Sequence, residues 1–401
     1  MEFELTDEQK MIQEMVRDFG RSQIQPLVKK IDEEKKIPDS IIKGLANLGL
    51  LGMTVSPQYG GHGADPVTVG LVAEELARAD FSCAVPTFFL VQCAWGFILN
   101  KYGWEEAKQA ILPWVTKGEA FIGIASTEPD AGSDVASIKT KAEKREGTYI
   151  LNGEKMFISG INEIMNQLPR GGGYVTLAKT DPTKGARGIS LFYVPLKGTT
   201  GITTTLLEDW GRKGISTGGF ALENVVIPES YLLGEENQGF YYAMEGFDLA
   251  RAIIAVVSSS AAQSALHQAM DYMKIRKAFG QPIARFEALQ FKLAENWAKL
   301  EAAKLLGYKA LWTYGLEQKG KKSRFETTKL CAEAKMLAPV FAFEAINDAI
   351  QCFGAFGYTE ECPLHLALRG VRSYYWAEGT LEIMKIIVGR ELLGKDFIAY
   401  R

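Results

Sequence analysis

The sequence predicts an α+β chain in three successive parts: an all-α N-terminal domain, a middle β domain and a C-terminal helical bundle. Three observations carry this. Apolar residues in the first third recur at helical spacing, short β-rich runs alternate with turn residues from about Glu119, and long helical stretches return after Gly239. The domains expected are residues 1–118, 119–232 and 233–401.

The first helix opens on Thr6 and Gln9, a capping-box pair, and continues with Ile12, Met15, Val16 and Phe19 along one face. Pro38-Asp39-Ser40 starts a second helix running through Ala46 and Leu50, and Pro57-Gln58-Tyr59-Gly60-Gly61-His62-Gly63 reads as a loop. Helical pattern fills 66–114. Its most apolar stretch, 83–99, is shorter than the roughly 20 residues of a membrane span and holds Pro86, Thr87 and Gln92, so it reads as a buried helix. In the middle domain, Tyr149-Ile150-Leu151 and Lys155-Met156-Phe157-Ile158 flank Asn152-Gly153, which predicts a hairpin. Runs at 173–177, 189–194 and 219–222 are further strands, and Pro228 closes the series. Residues 243–279, 286–314 and 327–351 predict long helices, with 319–324 a charged connector.

Composition narrows the function. The 45 Lys+Arg nearly balance 48 Asp+Glu, which leaves no basic footprint for nucleic acid. The five cysteines, Cys83, Cys93, Cys331, Cys352 and Cys362, are odd in number and without C-x-x-C spacing, which suggests reduced thiols and a cytoplasmic location. Met1-Glu2-Phe3-Glu4-Leu5 has neither the basic nor the apolar region of a signal peptide. His62, His267 and His365 lack metal-ligand spacing, so no metal site is expected.

Four segments could carry chemistry. The small, hydroxylated stretch 125–135 could cradle a polar ligand with its backbone, or be a plain connecting loop. Arg276-Lys277-Ala278-Phe279-Gly280 could place a guanidinium on a phosphate, or be a basic last turn with a glycine cap. Gln351-Cys352-Phe353-Gly354-Ala355-Phe356-Gly357-Tyr358 on its own reads as a helix end. Glu378 follows Tyr374-Tyr375-Trp376 and precedes Gly379-Thr380. Apolar neighbours would raise its pKa towards that of a useful base, although a carboxylate before a helix is also ordinary.

Taken in order, these segments resemble a known family. Thr127-Glu128-Pro129-x-Ala131-Gly132-Ser133-Asp134, Asn152-Gly153-x-Lys155-x-Phe157-Ile158-Ser159, Arg276-x-x-Phe279-Gly280, Gln351-x-x-Gly354-x-x-Gly357-Tyr358 and Glu378-Gly379-Thr380 resemble the FAD-dependent acyl-CoA dehydrogenases, over nearly the whole chain. The resemblance points to the short- and medium-chain-like branch, whose base sits in Glu-Gly-Thr. It implies a β-barrel-like middle domain and a C-terminal four-helix bundle. It also implies that Glu378 removes the α-proton of an acyl-CoA, that the β-hydrogen passes to flavin N5, and that an electron-transfer flavoprotein takes the electrons. Thr127 and Ser159 match flavin-bonding positions, Phe157 an aromatic against the ring system, and Ser133 a residue on the ligand path for cofactor or CoA. Arg276, Phe279, Gln351 and Gly354 match contacts to the FAD of a neighbouring subunit in a homotetramer. Thr380 and Glu382 match positions near the diphosphate, and Phe247, Asp248 and Arg251 the segment meeting CoA. The thioester carbonyl would accept from the backbone N–H of Glu378 and from a ribityl hydroxyl of FAD, and Gly379 would lie at the substrate.

The sequence also departs from the family. Ala250 stands where some members carry the base. Residues 162–173 are longer than the usual link, and Trp376-Ala377 replaces a frequent tyrosine. Gly370 stands at a common aspartate, Phe157 at a usual tryptophan, and Glu382 often at Gln. Phe88, Phe89, Leu90 and Trp95 are expected to wall the acyl pocket, favouring a short, branched, cyclic or aromatic acyl group. The absence of arginine there disfavours a dicarboxylic one. The alternatives are an acyl-CoA oxidase, a non-catalytic relative that binds acyl-CoA or nucleic acid, and a 1,4- or decarboxylating variant.

Overall fold

The computed structural model describes residues 4–397 and 399. Met1, Glu2 and Phe3, part of the N-terminal stretch considered for a signal peptide, lie outside the described residues.

Six helices come first: α1 (Asp7–Phe19), α2 (Val28–Glu34), α3 (Asp39–Asn47), α4 (Pro66–Ala79), α5 (Ala84–Tyr102) and α6 (Glu105–Thr116). Thr6 caps α1, its hydroxyl accepting from Gln9 N at 3.2 Å while Gln9 Oε1 accepts from Thr6 N at 3.1 Å. Asp65 caps α4 through the N–H groups of Val67 and Thr68. α5 is apolar on every face because it is buried on every face, against α4, α6, the sheet and the bundle.

The middle holds β1 (Ala120–Ala125), β2 (Lys141–Arg145), β3 (Thr148–Ser159), β4 (Gly171–Lys179), β5 (Ile189–Pro195), β6 (Ile202–Leu207) and β7 (Thr217–Pro228). They form one seven-stranded sheet in the order β1-β4-β2-β3-β7-β6, with β5 on β4. β2 touches β4 only at Lys141↔Lys179, so two sub-sheets meet there.

The expected Asn152-Gly153 hairpin is not formed. β3 runs straight through it, and the pair is a bulge between Leu151 and Gly153 in the ladder with β7. Asn152 hydrogen-bonds across to Asn224, and a Cβ on Gly153 would lie 2.4 Å from Thr140 Oγ1, so the glycine serves a close approach. The real turn is at Gly147, between β2 and β3.

The bundle is built from α7 (Gly239–Ile275), α8 (Glu287–Gln318), α9 (Arg324–Cys352), α10 (Leu364–Arg372) and α11 (Leu381–Leu393). α7 packs on α8, α9, α4 and α5, and α9 packs on α10 and α11. Among the described residues, α7 is the one helix long and apolar enough to cross a membrane, and 94% of that apolar window is buried in the bundle. α7 also stops earlier than its pattern predicts. Phe279 (φ 50°) and Gly280 (φ 80°) are both left-handed and turn a two-residue ladder, Lys277-Ala278 on Gln281-Pro282.

Candidate active site

Glu378 lies between a short turn at Ser373–Tyr375 and α11, whose first turn Thr380 caps by accepting from Ile383 N. Its backbone is left-handed (φ 58°), as is that of Gly379 (φ 99°). A non-glycine residue holds this conformation only when its surroundings impose it. Here two cations do so. Arg251 Nε donates to Glu378 O at 2.9 Å, and Lys335 Nζ donates to Gly379 O and, at 3.3 Å, to Tyr375 O. Arg251 is oriented by Asp248 (2.8 Å), whose other oxygen accepts from Thr328 Oγ1 (2.6 Å). Among the described residues the Glu378 N–H meets no backbone or side-chain acceptor, so a donor remains for a ligand.

Burial pushes the Glu378 carboxyl up to about 7, against the pull of Arg251, Lys335 and Arg212. Burial pushes Lys335 down to about 7, helped by Arg251 and opposed by Glu378 and Glu382. Both groups titrate in the physiological range, where proton transfer is useful.

Glu378 lines a cavity of about 1080 Å³ between the sheet and the helices. Thr127, Ser133, Phe157, Ser159, Phe247, Arg251, Gly379 and Thr380 line it too. A second bulge in β3, between Met156 and Ile158, puts Phe157 at φ 59° and leaves it 65% exposed. The loop after β1 is held by Glu128, which accepts from Lys139 N (2.5 Å), Thr140 N (3.0 Å) and Lys155 Nζ (2.8 Å). Burial raises Glu128, but Lys155 and these hydrogen bonds outweigh it and hold the carboxyl below its ordinary range.

The other expected site residues lie elsewhere. Asp248 is buried and committed to Arg251 and Thr328, so it supports the site from behind the wall. Glu382 is exposed beside Lys385 and off the cavity. Arg276, Phe279, Gln351 and Gly354 are exposed, with Phe279 at 95%. They sit where the ends of α7 and α9 meet, Tyr272 stacking on Phe353 with ring centroids 4.4 Å apart. Of the expected acyl wall only Leu90 reaches the cavity. Phe88 packs on Phe121, Trp95 on Phe247, and Phe89 is fully buried, so these three are core. The actual wall adds Thr87, Val91, Phe240, Tyr241, Met244, Tyr374 and Trp376.

Two departures have structural causes. A Cβ at Gly370 would lie 2.2 Å from Ser82 O, so α10 packs there only without a side chain. Residues 162–173 do not line the cavity. Their Gln167 bonds Ile37 O and Asp39, and buried Glu163 accepts from the N–H and hydroxyl of Ser216. Lys335, Arg212 and the Glu128–Lys155 pair were not anticipated as site components. Lys335 alone had a local signal, a lysine among Ala332, Ala334 and Ala338 on an apolar helix.

Sequence comparison bears directly on this architecture. Residues 6–119, 123–225 and 237–393 match the N-terminal, middle and C-terminal domain models of acyl-CoA dehydrogenases. An acyl-CoA dehydrogenase of Bacillus subtilis (strain 168) is 36% identical over 97% of this chain and 99% of its own. The chain belongs to the acyl-CoA dehydrogenase family. A further relative, a 3-(aryl)acrylate reductase of Clostridium sporogenes, is 35% identical over 97% of this chain and 99% of its own. The solved butyryl-CoA dehydrogenase of Megasphaera elsdenii superposes with a TM-score of 0.89 at 32% identity, covering 98% of this chain and 100% of that one. Within the family frame, Ala250 is fully buried and carries no carboxylate.

Proposed function

We propose that this chain is an FAD-dependent dehydrogenase that converts an acyl-CoA to its 2-enoyl-CoA, with Glu378 as the base and an electron-transfer flavoprotein as acceptor. The observation that carries the reading is Glu378 itself, a carboxyl raised to about 7 on the wall of a cavity, on a backbone clamped by Arg251 and Lys335.

The cavity suits FAD. Thr217 Oγ1 is buried, lines the cavity and has no partner among the described residues, and the Thr127, Ser133 and Ser159 hydroxyls there likewise find no protein partner. A polar ligand would answer these groups. Thr127, Phe157, Ser159 and Thr380 would hold the cofactor and Ser133 its approach. Arg276, Phe279, Gln351 and Gly354 would serve the site of a neighbouring subunit in a homotetramer. When bound, FAD supplies the two-electron acceptor for the β-hydrogen.

The residues of this chain do the rest. Phe247 and Arg251 line the substrate channel, and Asp248 steadies Arg251. The Glu378 N–H donates to the thioester carbonyl, and being fixed in advance it favours the charge that develops as the α-proton leaves. Glu378 takes that proton. The aromatic lining from Phe240, Tyr241, Phe247, Tyr374 and Trp376 suits a short, branched, cyclic or aromatic acyl group. A relative named for aryl acrylates supports the bulkier end of this range. Five unpaired cysteines, four of them buried, suit a cytoplasmic setting.

The test is anaerobic mixing of the flavin-loaded protein with straight, branched, cyclic and aromatic acyl-CoAs. Bleaching of the oxidised flavin and formation of a 2-enoyl-CoA are expected, followed by reduction of added electron-transfer flavoprotein. Stoichiometric peroxide in air at the expense of that reduction would show an oxidase. No thioester-dependent bleaching would show a binding protein.

A further inference from the structure

Five arginines line the cavity: Arg212, Arg251, Arg324, Arg369 and Arg390. Four are committed. Arg251 pairs with Asp248 at 2.8 Å, Arg369 with Asp32 at 2.8 Å, and Arg390 with Glu391 at 2.7 Å. Arg324 shares Asp248, Glu245 and Glu317 at 3.5–3.7 Å. Arg212 is different. It is half-buried, and among the described residues its guanidinium has no carboxylate within ion-pair distance and no hydrogen-bond acceptor. A guanidinium is always charged and presents five N–H donors, so a half-buried one without a protein partner is suited to a ligand.

Its position is enforced. Arg212 is left-handed (φ 47°), and its carbonyl accepts from Ile215 N. On one side, a Cβ on Gly211 would lie 2.5 Å from the backbone of Arg369, whose guanidinium holds Trp210 O at 3.0 Å. On the other, a Cβ on Gly214 would lie 2.9 Å from Ala84 Cβ. The loop is therefore pressed between α10 and the start of α5. That is the part of the cavity walled by Thr87 and Tyr374, whose hydroxyls bond each other at 2.7 Å. The charge of Arg212 is felt by Glu378, Tyr374 and Cys83, which places it beside the reacting region.

We infer that Arg212 is a specificity determinant that binds a carboxylate carried on the acyl group, so that the preferred substrates are monothioesters of dicarboxylic acids. The inference rests on the acyl-CoA dehydrogenase reading above and adds to it a charged acyl terminus, which the aromatic wall alone does not call for. The helix wall around 88–95 holds no arginine, but this one arrives from the loop between β6 and β7. A planar guanidinium can take a carboxylate through two parallel hydrogen bonds, a geometry a lysine cannot reproduce.

The experiment measures binding to the flavin-loaded Glu378→Gln protein by calorimetry, which needs no turnover. The ligands are glutaryl-CoA and its neutral methyl ester, which share the same CoA. The protein with Arg212 intact is expected to prefer the carboxylate form at least tenfold. Arg212→Met is expected to abolish that preference, and Arg212→Lys to keep part of it. No preference with Arg212 present, or the same preference in Arg212→Met, would overturn the inference. An equal weakening of both ligands in Arg212→Met would also overturn it, by assigning the guanidinium to a phosphate common to both. Failure of the dehydrogenase reading appears separately, as wild-type flavin that no acyl-CoA bleaches.

Discussion

At the scale of single residues, three separate effects meet on Glu378. Burial raises its carboxyl to about 7, Arg251 and Lys335 fix the backbone on either side of the Glu378–Gly379 peptide, and their charges limit the rise. A carboxyl serves as a base only when deprotonated. The log of kcat/KM is therefore expected to climb as pH rises towards about 7 and to level off above it. Lys335 pulls the carboxyl down, so Lys335→Met should move that rising limb to higher pH. It should also lower kcat about tenfold or more, because misplacement of a catalytic group by even a fraction of an ångström is costly. A lysine that merely packed would lower stability and leave the limb where it was. Glu378 was readable in the sequence as a carboxylate between aromatics and Gly-Thr. Lys335 showed only as a lysine among alanines on an apolar helix and Arg212 not at all, since the place of each in the site depends on elements distant in sequence.

At the scale of elements, β3 shows how long-range pairing overrides a local signal. Asn152-Gly153 is a strong turn dipeptide, yet β7 is available to pair on both sides of it, and the dipeptide becomes a bulge. The converse happens after α7, where Phe279-Gly280 forms a tight turn that phenylalanine does not advertise. The helices were more legible because their apolar spacing and caps are local, as at Thr6 and Gln9. Ordering of the loop after β1 depends on the Glu128–Lys155 pair, with Lys155 fully buried and pushed down to about 8 by burial. Glu128→Ala should cost about 3–5 kcal/mol in chemical denaturation, since it strands a buried charge. Lys155→Met should cost less, because Glu128 keeps the N–H groups of Lys139 and Thr140. Equal costs, or none, would remove the pair from the account of this loop.

At the scale of the whole molecule, the cavity exists only because the three parts fold onto one another. The sheet supplies Thr127, Phe157 and Ser159, α5 supplies Thr87 and Leu90, α7 supplies Phe247 and Arg251, and the turn before α11 supplies Glu378. The order of these parts was legible, and so was the identity of most cavity-lining motifs. The aromatic wall was not, because helical periodicity cannot tell which face of a fully buried helix meets a cavity and which meets core. The exposed set at the ends of α7 and α9, Arg276, Phe279, Gln351 and Gly354, completes no site in a single chain. If it serves a neighbouring subunit, Arg276→Ala and Phe279→Ala should lower the ratio of FAD to protein after gel filtration of a tetramer. Full retention of FAD by a monomer of either variant would contradict the shared site.

The central claim is that Glu378 is the base, and the rate of flavin reduction in a single anaerobic turnover tests it most directly. Glu378→Gln should still bind FAD and acyl-CoA while reducing its flavin at least about a thousandfold more slowly, as expected when an essential proton-transfer group is lost. Reduction at the wild-type rate would contradict the account.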